Sequence, residues 1–250
     1  RPTNLKSLNE WTTKRVPLSD TPVVRCAYVD DDVAGYFAEA ATIDESDPAL
    51  AEVEVATLKI AQLVRISNEQ FRRDQTADQL AQSVSRALVK RADADYVTGV
   101  NPAGLANITG TVEAGALGTD LDKLIDLIAT IESNGGMPSH IIVDPLAWAA
   151  VRKIKKDSDT SNESLLGAGT SDAQRMLLGM PVLVNRFVGA YQGVVLDRNA
   201  VVSAVGPVSV AVSEHQYFDS DSVALRATWR IGWNIVRPNW VGSFDIGPGT

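Results

Sequence analysis

Between Val223 and Trp233 apolar and polar positions alternate without interruption. Val223, Leu225, Ala227, Trp229, Ile231 and Trp233 hold one parity; Ala224, Arg226, Thr228, Arg230, Gly232 and Asn234 hold the other. A period of two places each set on its own face of a β-strand, one large and apolar, the other carrying arginines. At about 1.5–3 kcal/mol per fully buried large side chain, before chain entropy is subtracted, the apolar face is a major stabilising surface. Pro238 ends the run, and a last short strand is expected within Trp240–Ile246.

Earlier strands read differently. Val23–Val29 is β-prone, Asp30-Asp31-Asp32 interrupts it, and a second acidic break falls at Asp44-Glu45-Ser46-Asp47-Pro48. Val53 and Val55 resume alternation, whereas Ala56, Leu58, Ile60, Val64 and Ile66 lie on the opposite parity. A strict period of two changes phase only at a bulge or bend, so a corner is expected near Ala56, between a two-stranded ribbon and the body. An isolated ribbon is marginal in water, so this one needs a surface to pack on, and a partner subunit is the simplest candidate.

Thr76-Ala77-Asp78-Gln79 has the form of a capping box. Leu80, Val84, Ala87, Leu88 and Arg91 follow at helical spacing, with Tyr96 near the closing Gly99. A glycine-punctuated connector runs from Gly99 to Gly118, with a short strand expected at Asn107-Ile108-Thr109. Thr119 is the expected cap of a second helix with Leu121, Leu124, Ile125, Ile128 and Ile131 on one face, ended by Asn134-Gly135-Gly136. Ile141-Ile142-Val143 reads as a buried strand, and Asp144-Pro145 as an N-cap and N1 proline opening a third helix. Asp157–Ser171 is a polar loop, followed by short strands at Pro181–Val184, Gly193–Leu196 and Val208–Val212. The first twenty residues lack periodicity and read as an extended arm. Helices and strands mixed in this way indicate an α+β chain with a mixed α/β layer.

Composition narrows the function. The 250 residues, 45% hydrophobic and 22% charged, suffice for one large domain or two small ones. No apolar run approaches the roughly 18–20 residues of a membrane-spanning helix, and Arg1-Pro2-Thr3-Asn4 is not read as a secretory signal. A net charge of -8 argues against a general nucleic-acid binder. Cys26 alone allows neither an intrachain disulfide nor a multi-cysteine zinc site, and His140 and His215 are too few for a histidine metal cage. Gly167-Ala168-Gly169-Thr170-Ser171 follows no expected strand and lacks a Gly-Lys-Ser ending, so it reads as a loop rather than a phosphate cradle. Asp30, Asp31, Asp32, Asp44, Glu45 and Asp47 fit no calcium-loop spacing; a solvated tip and an electrostatic docking tip both remain open. Lys153, Lys155 and Lys156 complement a helix dipole. No catalytic residue, metal site or cofactor is assigned.

The order of these features resembles a known family. Val64-Arg65-Ile66-Ser67 ends the strand of the body, Val143-Asp144-Pro145-Leu146-Ala147-Trp148 opens a helix, and Gly179-Met180-Pro181-Val182 follows. From about Val23 to Ile246 the chain is similar to the major capsid proteins of tailed bacteriophages, of the Hong Kong 97 type. The resemblance implies an α+β capsid fold with an N-terminal arm (1–20), an extended two-stranded loop (21–57), a peripheral domain with a long spine helix (58–99 and 213–250) and an axial α/β domain (100–212). It implies a structural protein of the virion, assembled in the host cytoplasm from homo-hexamers and pentamers into an icosahedral shell. That shell would enclose double-stranded DNA without sequence-specific binding or membrane contact; portal, scaffolding and decoration proteins are further partners. Some members crosslink through a lysine of the extended loop. Between Thr21 and Thr57 this chain has none, so no such isopeptide bond is expected, with non-covalent contacts or an auxiliary protein holding the shell. Charge complementarity suggests that the acidic tip docks near Arg226, Arg230 or Arg237 of an adjacent subunit. Two other classes fit the sequence less well. An encapsulin-like compartment lacks support because residues 1–20 hold no amphipathic cargo-docking helix, and a soluble α/β enzyme because no nucleophile, base and orienting group can be named.

Overall fold

Ile141, Ile142 and Val143 are each 0% exposed, so this apolar run without alternation lies between two packed layers. The computed structural model describes residues 6–17, 22–29, 50–73, 76–118, 120–154 and 175–247. In chain order, α1 (Leu8–Thr12) and β1 (Lys14–Pro17) precede β2 (Val23–Val29) and the 18-residue β3 (Leu50–Ser67). The single turn α2 (Asn68–Phe71) leads to the long α3 (Thr76–Thr98). Next come β4 (Val112–Ala116), α4 (Asp122–Ser133), β5 (His140–Val143) and α5 (Pro145–Lys153). Seven further strands are β6 (Met176–Leu177), β7 (Met180–Val184), β8 (Gln192–Leu196), β9 (Val201–Val205), β10 (Ser209–Tyr217), β11 (Ser222–Ile235) and β12 (Val241–Asp245).

The strands form two six-stranded sheets. The first runs β1-β9-β11-β3-β2, with β10 also paired to β11; the second runs β4-β12-β8-β5-β7-β6. One hydrophobic core joins the apolar face of β11 (Leu225, Ala227, Trp229, Ile231, Trp233) to α3 and to Ile142, Val194 and Leu196 of the second sheet. A second core lies on the opposite side of that sheet, where Ile141, Val143, Val195 and Phe244 meet α4 and α5. Strand β5 thus contributes to both cores, which is why none of its central positions is polar.

Helix α3 buries Val84, Leu88, Ala92 and Tyr96, one residue every four, along about 35 Å at 1.5 Å per residue. The segment Asn107–Thr109 is not a strand. A 3-10 turn covers Leu105–Asn107, and the Asn107 side-chain amide donates to the carbonyls of Thr98 (3.1 Å) and Gly99 (2.7 Å). Asn107 therefore closes α3 instead of pairing, and the strand follows at β4. The expected cap Thr119 lies outside the described residues; Asp120 Oδ1 accepts the Asp122 N–H at 3.2 Å. Helix α4 turns Leu124, Leu127 and Ile131 inward and leaves Ile125 49% exposed.

Asp144, 7% exposed, caps α5 and does more. Its Oδ2 accepts the N–H of Leu146 at 3.0 Å and that of Tyr191 at 3.1 Å, so one carboxylate joins the helix start to the turn before β8. Asp144→Ala leaves two partly buried donors without their acceptor and is expected to destabilise by about 1–3 kcal/mol. Chemical denaturation of the subunit measures it.

The phase change of the ribbon occurs without the expected corner. Strand β3 is continuous, pairing with β2 through Ala56 and with β11 from Thr57 onward, without a register shift in either ladder. Val55 and Thr57 are buried, Leu58 and Lys59 are both exposed, and Ile60 and Val64 then turn toward the first core. The covered face changes where the partner changes, so exchange of neighbours replaces the bulge. Two more differences concern the polar start and β9. The arm is not wholly extended: α1 packs on α3, and β1 pairs in parallel with β9. Sheet membership places Val201–Val205 with the first sheet and Val241–Asp245 with the second, whereas the expected division at 212/213 assigns them the other way round.

Candidate assembly surfaces

The second face of the β3–β11 ladder carries the charge. Arg230 stands opposite Lys59, Thr228 opposite Ala61, Arg226 opposite Leu63 and Ala224 opposite Arg65. Residues directly opposite in an antiparallel pair share a face, so Lys59, Arg65, Arg226 and Arg230 belong to one surface. The first three are exposed and Arg230 is half-buried. Strand β10 adds Ser209, Ala211 and Ser213 to the same side. Arg65 is steadied by Tyr217, whose ring centroid lies 4.9 Å from its guanidinium carbon.

Two of the three arginines singled out in the sequence, Arg226 and Arg230, therefore share this surface. Arg237 lies beyond the end of β11, with its guanidinium carbon 4.0 Å from the Trp240 ring centroid. There it lines a cavity of about 390 Å³ with Lys14, Cys26, Val53 and Asn199. Lys59 and Arg65 were not singled out, because only the pairing register brings them beside the arginines. Asp30, Asp31, Asp32, Asp44, Glu45 and Asp47 lie outside the described residues. Near the ribbon's base Arg25 contacts Glu54 at 2.9 Å and Glu52 at 3.8 Å; such exposed pairs are worth about 0–1 kcal/mol.

Beside the basic face, no described strand pairs with the outer side of β10. Strand β10 pairs with β11 on one side, and Val208, Val210 and Val212 are 47%, 52% and 51% exposed. Its nine residues contain no proline or lysine, the usual guards of an unpaired strand.

Two of the described titratable groups outside α3 are shifted, each by burial. Burial pushes the Cys26 thiol up, with Lys14 partly offsetting it. Burial, reinforced by Arg198, lowers His140. Among the described residues no cluster of three or more His, Cys, Asp and Glu side chains could hold a metal ion.

Solved structures share this architecture. One from Microbacterium phage Oxtober96 superposes with a TM-score of 0.74 at 16% identity, covering 98% of this chain and 93% of its own. One from Gordonia phage Cozz gives 0.74 at 17% identity, covering 99% and 91%. A capsid of a native GTA particle gives 0.72 at 15% identity, covering 98% and 92%. At these identities the likeness establishes a mixed α+β fold of the capsid kind. The sequence goes further: the model of the phage capsid family matches residues 12–241, and the chain belongs to that family. It is a capsid shell protein, structural rather than enzymatic, and its place is the capsid of the virion. No curated protein matches it.

Proposed function

We propose that copies of this chain assemble into hexamers and pentamers that close an icosahedral shell around packaged double-stranded DNA. The observation that supports this reading is one side of the first sheet, where no described strand covers the outer edge of β10 and its valines are exposed, beside the face that carries Lys59, Arg65, Arg226 and Arg230. Neighbouring copies cover both. Residues 1–20 serve as the arm, 21–57 as the extended loop, 58–99 with 213–250 as the peripheral domain and 100–212 as the axial domain, with β9 and β12 crossing between the last two. Portal, scaffolding and decoration proteins complete the particle, which forms in the host cytoplasm.

The contact between copies is electrostatic in part. Residues 21–57 hold nine acidic residues against the single Arg25, so the ribbon's charge equals the net -8 of the whole chain. The acidic tip, Asp30–Asp32 with Asp44, Glu45 and Asp47, docks near Arg226, Arg230 or Arg237 of an adjacent subunit. The net negative charge suits a container, because a basic lining would retain the DNA that must leave.

Size exclusion with negative-stain microscopy tests the reading, with nuclease-protected DNA assayed in the particles. Megadalton shells are expected, and a small soluble oligomer under every solvent condition overturns it. Replacing Asp30, Asp31 and Asp32 by lysine is expected to impair assembly while the subunit keeps its circular dichroism. Normal shells from that variant rule out the acidic contact and leave the shell reading standing.

A further inference from the structure

The first described turn buries polar side chains where a permanent anchor would bury apolar ones. Ser7, Asn9, Thr12 and Thr13 are each 0% exposed, Leu8 is the one buried apolar residue beside them, and Trp11 is 50% exposed. Both side-chain polar atoms of Asn9, and Ser7 Oγ, are buried without a hydrogen-bond partner. Groups left in that condition gain by returning to water, so the seat is easier to leave than an apolar one of the same size.

A few polar contacts hold it. The Leu8 N–H donates to Asp93 Oδ1 at 2.8 Å, while Asp93 Oδ2 accepts from the Asn185 side-chain amide at 3.2 Å. Thr12 Oγ1 meets the Tyr96 hydroxyl at 3.0 Å, and Arg198 Nε donates to the Thr13 carbonyl at 2.9 Å. One carboxyl on α3 thus ties together α1, its own helix and the segment after β7.

We propose that residues 7–13 form a releasable strap whose grip on the body depends on the proton of Asp93: seated in acid, loosened at neutral pH. Burial raises this carboxyl from 3.8 to about 6, against the two donors that favour its ionised form, and Glu10 of α1 adds to the rise. Among the described residues the other charged groups on the surrounding elements are turned elsewhere, Lys6 lying over the Trp11 ring at 5.2 Å. Arg186 stacks on Phe187, Arg198 serves the Thr13 carbonyl, Arg91 pairs with Asp95, and Arg86 and Lys90 occupy exposed positions of α3. A group raised in the seated state strengthens seating fully below its ordinary value near 4. That contribution is lost as pH rises through about 6. The device belongs to the single chain and holds whether or not shells form.

Hydrogen exchange of the full chain at pH 5 and pH 8, corrected for the intrinsic pH dependence of amide exchange, tests it. Protection of the Leu8–Thr13 amides, relative to those of α3, is expected to fall about tenfold. Asp93→Asn, which retains an acceptor for the Leu8 N–H, is expected to flatten the difference. Glu10→Gln, at a half-buried position outside the hydrogen-bond set, is expected to move the loosening to lower pH, and it serves as the test if Asp93→Asn fails to fold. A pH-independent or inverted profile in the natural chain overturns the strap. A pH-dependent profile unchanged by both substitutions overturns Asp93 as its sensor.

Discussion

Gly232→Ala is expected to destabilise the subunit by about 3 kcal/mol, a fall of roughly 6–12 °C in thermal midpoint for a chain of this size. Gly232 faces Thr57 in the β3–β11 ladder, at the step where β3 exchanges β2 for β11. A Cβ there would lie 2.2 Å from the Ala56 carbonyl oxygen and 2.9 Å from both the Ala56 carbonyl carbon and Thr57 Cα. All three are backbone atoms of a paired strand, so no side-chain rotation relieves the clash. The two strands must separate, which breaks pairing at the root of the ribbon. Gly247 is the control: nothing lies within 4 Å of its would-be Cβ, and Gly247→Ala is expected to change stability by less than about 0.5 kcal/mol. Thermal unfolding of both variants beside the natural chain decides the matter, and equal midpoints for the two would contradict it.

Trp233→Ala is expected to cost about 3–5 kcal/mol. The side chain is 2% exposed on the apolar face of β11. Its ring meets Tyr96 edge-to-face, with centroids 5.4 Å apart and planes at 87°, and its indole N–H donates to the Ala103 carbonyl at 2.8 Å. Substitution removes a large buried volume, an aromatic pair and the donor of a loop carbonyl together. Trp233→Phe separates these contributions, since it keeps most of the ring but not the donor, and it is expected to cost about 1–2 kcal/mol. Denaturant unfolding of both variants measures the split. Tyr96 also touches Thr12, so hydrogen exchange in the Leu8–Thr13 segment is expected to quicken in Trp233→Ala.

What could be read in advance depended on whether burial was one-sided. Strand β11 was legible because its large apolar residues all lie on the face that meets the core, and its arginines all lie on the other. Helix α3 was legible because its buried residues recur every four, and Asp144-Pro145 because a cap is a local device. Strand β9 was not: Val201, Ser203, Ala204 and Val205 are all buried between β1 and β11, so its small polar and apolar residues show no alternation. The arm was illegible for a related reason, since Asn9, Thr12 and Thr13 are interior despite being polar, and hydropathy assigns such residues to solvent. In α4 the choice between Ile125 and Leu127 rested on helix rotation against a sheet assembled from distant segments. The basic face was half visible. Arg226 and Arg230 share a parity along one strand, whereas Lys59 and Arg65 join them only through a register linking positions far apart in the chain.

The uninterrupted course of β3 also has a mechanical consequence. At about 3.3 Å per residue its 18 residues form a rod roughly 60 Å long, with seven rungs to β2 at one end and eleven to β11 at the other. A pull exerted on the ribbon along the strand axis loads those eleven rungs together in shear, where a hinge would let them peel apart singly. Tension arriving from outside is therefore shared across the ladder at once and passed to the helix beneath it, making the ribbon a tie-rod rather than a tether.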